Sequence, residues 1–153
     1  MIVSMERVWD YPRPPALVPC QRRVRIELGG VTIADSTTAL RVLETSHPPT
    51  IYVPPRDIAD GVLEPGRGRS LCEWKGEAAY LDVGDRRAAA WTYRAPVAAF
   101  AALRAHVSFY PSRMDACWLD DERVQSQDGD FYGGWITADL VGPFKGARGT
   151  LGW

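Results

Sequence analysis

Arg23-Val24-Arg25-Ile26-Glu27-Leu28 alternates polar and apolar residues, pauses at Gly29-Gly30, and resumes the alternation in Val31-Thr32-Ile33-Ala34. Alternation with period two puts every second side chain on one face of an extended strand, and a glycine pair between two such runs signals a tight hairpin. A core that starts this way is committed to antiparallel β structure. The pattern recurs in Leu40-Arg41-Val42-Leu43-Glu44 and Thr50-Ile51-Tyr52-Val53, in residues 75–83 and 86–93 around Gly84-Asp85, and in residues 107–110 and 116–119. Only residues 97–104, following Pro96, read as a helix, and it is short. The expectation is a mainly β fold of antiparallel strands, arranged as a small barrel or as packed sheets, with one short α-helix.

With 153 residues, 46% of them hydrophobic, the chain can bury one substantial core, so residues 1–153 are expected to form a single domain. Residues 1–20 carry Trp9, Tyr11, Pro12, Pro14 and Pro15 and read as an extended arm lying across that domain. Residues 56–70 hold Gly61, Pro65, Gly66 and Gly68 among charges and read as a long surface excursion. From residue 125 onward, glycines interleave with Phe131, Tyr132, Trp135, Phe144 and Trp153, a composition expected of a wrapping tail pinned by aromatic rings.

A net charge of -1 supplies neither a basic footprint for nucleic acid nor a polybasic face for an anionic membrane. Cys20, Cys72 and Cys117 are dispersed and odd in number, which argues against a disulfide framework or a local zinc site and makes the cytoplasm the expected compartment. No Gly-x-Gly-x-x-Gly, P-loop or Gly-x-Ser-x-Gly elbow occurs, so no nucleotide cradle, metal or cofactor is expected. Lys75 and Lys145 are the only lysines among 18 basic residues, and each follows an aromatic residue and precedes a glycine.

The segment Glu44-Thr45-Ser46-His47-Pro48-Pro49-Thr50 places one of only two histidines in a proline corner among hydroxyls and a carboxylate. Prolines restrict the backbone, so the corner should hold its polar groups in few directions. His47 is the candidate general acid or base and Glu44 its orienter, against a purely structural histidine as the competing reading. Cys72-Glu73-Trp74-Lys75-Gly76 offers Cys72 as a nucleophile and Lys75 as an electrostatic or Schiff-base partner, if a turn brings the two together. Trp74, Trp91 and Tyr93 are candidate walls for a flat ligand, with Arg13 for an acidic group and Ser46 for a hydrogen bond; core packing is the alternative for the rings.

The motifs Val8-Trp9-Asp10-Tyr11-Pro12-Arg13-Pro14-Pro15, Gly29 to Asp35, Arg41 to Pro49, Cys72 to Gly76, Ala90-Trp91-Thr92-Tyr93 and Phe131-Tyr132-Gly133-Gly134-Trp135 together resemble the bacterial and fungal domain of unknown function 427 family. The resemblance implies a compact antiparallel β domain of the kind likened to the β-tent group. Zinc-bearing β-tents use paired Cys-x-x-Cys motifs that this sequence lacks, so the resemblance carries no zinc. An aromatic cage of the sort found in the thalidomide-binding β-tent domain would here involve Trp74 and Trp91.

These readings combine into an expected small-molecule-binding β domain whose cleft is lined by aromatic, His and Lys side chains, with catalysis through His47 as an extension. The alternative is a non-catalytic interaction module docking through the Trp9 arm and the aromatic tail. Ligand identity and oligomeric state do not follow from the sequence.

Overall fold

The computed structural model describes residues 4–72, 74–129 and 131–153. Its largest unit is a four-stranded antiparallel sheet in which Gly76–Val83 and Arg86–Tyr93 form the central hairpin, flanked by Leu63–Cys72 and Val107–Phe109. A second four-stranded sheet contains the expected hairpin, Val24–Leu28 with Val31–Ser36, extended by Ala116–Leu119 and Glu122–Arg123. A three-stranded sheet joins Ala16–Pro19, Leu40–Leu43 and Thr50–Tyr52. The first and third sheets meet where Val53 and Val107 exchange backbone hydrogen bonds of 2.8 and 2.9 Å. The fold is mainly β, built of several packed antiparallel sheets that do not close into a barrel.

Two expectations about local structure need correction. Residues 63–72 are a paired strand and not a surface excursion. Gly66 explains the difference, because a Cβ there would lie 2.9 Å from the Asp82 side chain and 3.0 Å from the Tyr80 carbonyl oxygen. Glycine is therefore present for close strand approach beside a bulge between Pro65 and Arg69. Residues Ala98–Leu103 form 3-10 turns, with a kink at Phe100, where an α-helix was expected. Phe100 and Leu103 are both buried, and a spacing of three residues stacks them on one side of a 3-10 turn.

The arm and the tail wrap against each other. Glu6–Arg7 pairs in parallel with Leu140–Val141, the Trp9 indole N–H donates to the Pro143 carbonyl (2.7 Å), and the Trp9 and Trp153 rings meet edge-on at 5.2 Å. Trp135 is only 1% exposed and donates to the Phe109 carbonyl (3.1 Å).

Alternate side chains of Thr50–Tyr52 and of the central hairpin enter two different clusters. Ile51 and Val53 join Leu81, Val83, Ala89, Ala90, Val107 and Phe109 in one core. Tyr52, between Ile51 and Val53, turns to a second cluster with Val42, Ala78, Trp91, Tyr93, Phe100, Leu103 and Tyr110. Period two thus divides the same strands between two environments.

Candidate functional site

The second cluster does not fill its space. It borders a cavity of about 270 Å³ whose lining includes Glu44, His47, Thr50, Tyr52, Cys72, Trp74, Lys75, Tyr80, Trp91, Tyr93 and Tyr110, with Phe131, Tyr132 and Lys145 contributed by the tail. Much of the wall is a ladder of cross-strand neighbours: Ala78 opposite Tyr93, Tyr80 opposite Trp91, and Val42 opposite Thr50. Side chains on directly opposed strand positions lie close together, so these pairs make a continuous surface.

His47 is set by its turn. Its backbone N–H donates to the Glu44 carbonyl (3.0 Å), with Ser46 in the left-handed region at φ 72°. Nδ1 lies 2.9 Å from the Thr45 carbonyl oxygen and 3.9 Å from the Glu44 carboxylate. A carbonyl can only accept, so Nδ1 carries the hydrogen and Nε2 is left as the basic nitrogen of the neutral ring. The orienting partner is consequently the Thr45 carbonyl, and Glu44 acts as a neighbouring charge; the expectation that Glu44 orients the ring is corrected. Burial lowers the His47 pKa below the ordinary histidine value, opposed by the Thr45 hydrogen bond and Glu44 and assisted by Lys145 and Arg13. Tyr132 meets the imidazole edge-on at 4.9 Å.

Lys75 stands in the turn between Leu63–Cys72 and Gly76–Val83, and its carbonyl accepts from the Val97 N–H (2.9 Å). Burial works against its ammonium, but Tyr52, Cys72 and Glu44 outweigh it and raise the pKa above the ordinary lysine value. The lysine is therefore held charged. Burial raises the pKa of Tyr52, Tyr93 and Tyr110, which keeps these phenols neutral donors and acceptors. The Trp91 indole N–H donates to the Tyr52 hydroxyl (3.3 Å), and the Tyr110 hydroxyl donates to the Phe131 carbonyl (2.9 Å). Gly133 seats the tail on this wall, because a Cβ there would stand 2.7 Å from the Trp91 ring.

Of the residues singled out in the sequence, His47, Glu44, Lys75, Cys72, Trp74, Trp91 and Tyr93 line one cavity. Arg13 and Ser46 do not. Arg13 is exposed and donates to the Thr45 carbonyl (3.2 Å) and the Trp153 carbonyl (3.3 Å), so it braces the His47 corner from behind. Ser46 is buried with its hydroxyl unpartnered. Glu73 lies outside the described residues. Sequence reasoning missed Thr50 and Tyr52 as lining residues, although they share a strand face next to positions that the cavity uses. It also missed the contribution of Phe131, Tyr132 and Lys145, which no local periodicity announces. Among the described residues no group of three or more His, Cys, Asp or Glu side chains is placed to hold a metal ion.

The family model described as Domain of unknown function (DUF427) matches residues 16–120. The chain belongs to that family. The match takes in the three main sheets except the short Glu122–Arg123 strand, and the His47, Lys75 and Trp91 segments of the DUF427 chain, but not the tail that carries Phe131, Tyr132 and Lys145. No curated protein matches the sequence. Among the described residues no helix is long and apolar enough to cross a membrane.

Proposed function

We propose that this DUF427 protein binds a small molecule in the aromatic cavity and that His47 serves there as a general acid or base. The observation that carries the reading is convergence: His47, Lys75, Trp74 and Trp91, separated by up to 44 positions in the chain, border one space. Mostly apolar, aromatic walls with a few placed polar groups are what small-molecule sites are made of. A neutral imidazole with Nδ1–H committed to a carbonyl offers Nε2 to take up a proton, and a charged lysine nearby stabilises negative charge as it develops. The raised pKa of Lys75 favours this electrostatic role over Schiff-base chemistry, which needs the neutral amine. Docking through the arm and tail has less support, because Trp135 is buried and Trp9 is engaged by Pro143 and Trp153.

The test is a metabolite screen read by thermal shift, repeated on Ser70→Trp, which places a large ring at the cavity lining. Ligands that stabilise the wild type and lose their effect on Ser70→Trp support the site. For any ligand that is turned over, His47→Gln should retain binding and abolish turnover. Ligands that stabilise both proteins equally would remove the cavity from consideration.

A further inference from the structure

The charge of the ligand can be read from where the lysines are. Removing the 2 lysines from 18 basic residues leaves 16 arginines, yet both lysines line the aromatic cavity and, among the described residues, no arginine does. Every ion pair among the described residues has an arginine, or His47, as its cation. Arg22 and Arg41 border a separate cavity with Glu6 and Asp139, so the two basic residue types are divided between two spaces. The chemistry of the two residues differs in a way that suits this division. Arginine presents a wide planar fork, whereas lysine delivers a compact point charge on an apolar stem and so leaves room in a small cavity.

The two lysines come from distant segments of the chain. Lys75 is buried in its turn. Lys145 is fixed by its backbone, whose N–H donates to the Ser46 carbonyl (2.8 Å) and whose carbonyl accepts from Gln127 (2.5 Å), and its ammonium lies 5.2 Å from the Tyr132 ring centroid. Opposing them among the described lining residues is one carboxylate, Glu44, while the imidazole of His47 is neutral. Among the described lining residues, two ammonium groups against one carboxylate give an excess of one positive charge for a ligand to balance. The volume of 270 Å³ falls just under the about 300 Å³ at which pockets begin to accept drug-sized molecules, so a single ring or fused pair is the size admitted.

Building on the small-molecule reading above, we infer that the cavity takes a small planar monoanion, an aromatic or heteroaromatic ring bearing one carboxylate. The ring stacks on the Trp74 and Trp91 walls and the carboxylate pairs with the ammonium groups of Lys75 and Lys145. Charge-assisted contacts of this kind are the stronger class of hydrogen bond and discriminate against neutral isosteres.

Three probes of the same shape test it: benzoate, benzamide and benzylamine, titrated by NMR into the full chain and into Lys75→Met and Lys145→Met. Benzoate should bind at least about tenfold more tightly than benzamide or benzylamine, a difference the size of one good charged contact. Lys145→Met should weaken benzoate by a similar factor and leave benzamide unchanged, and Lys75→Met should do the same if it folds. Lys145 is only half-buried, so its variant keeps the test alive if the buried substitution unfolds the protein. Benzamide or benzylamine binding in the cavity as tightly as benzoate, or benzoate indifferent to Lys145→Met, would overturn the charge assignment while leaving the binding site standing. Failure of all three probes to perturb any cavity residue would count against both the assignment and the site.

Discussion

Two clusters share the same strands and treat them differently. On the face with Ile51, Val53, Leu81 and Val83, mostly aliphatic side chains interdigitate. On the face with Tyr52, Tyr80, Trp91 and Tyr93, large rings with polar tips border a cavity. Aliphatic groups have no directional demands and can be packed to crystal-like density. Indoles and phenols must also satisfy an N–H or O–H, which holds them in set orientations and leaves a space between them. The first face supplies cohesion, and the second borders the space proposed above as the binding site.

The contrast breaks if both faces respond alike to truncation. Phe109→Ala, at a fully buried position of the first core, should cost about 3–5 kcal/mol in urea unfolding. Tyr80→Ala, partly exposed on the cavity face, should cost less than half as much and instead weaken ligand binding. Equal losses of stability would mean that the aromatic cluster is simply more core.

Acid should strike the cavity side through His47. Its folded-state pKa lies below the ordinary value, so the unfolded chain takes up the proton first. The stability tied to the neutral ring is present above the ordinary histidine pKa and is lost as pH falls through the folded value. The melting temperature of the wild type should therefore drop more between pH 7.5 and pH 5 than that of His47→Gln. Parallel curves would mean that the carboxylates, and not this imidazole, govern the acid limb.

The smallest effect sharpens the comparison at the corner joining the two faces. Ser46 combines a left-handed backbone with a buried, unpartnered hydroxyl. Ser46→Gly relieves both and should raise stability by about 0.5–1 kcal/mol, offset in part by the flexibility of glycine in the unfolded chain. A loss of stability would show that the hydroxyl does have a partner.

Legibility in the sequence followed the range of the interactions. The Gly29-Gly30 hairpin and the 76–93 hairpin were readable because alternation and turn are local. His47, Lys75 and Trp91 stood out by residue type, and the sheets then brought them together. The strand at 63–72 was misread because glycine and proline usually mark loops, while here Gly66 answers a close approach that only the folded partner reveals. The roles of Lys145 and Tyr132 were hidden for a related reason: an aperiodic, glycine-rich tail does not disclose which surface it covers.

That tail also sets an order of events. Phe131, Tyr132 and Lys145 complete the cavity wall, and they are synthesised after every strand of the three main sheets. A nascent chain emerging from the ribosome can pair the strands of its main sheets before Trp135 completes the core and the tail completes the cavity wall. A chain stopped short near residue 125 would retain the main strands yet lack both Trp135 in the core and the tail's share of the cavity wall.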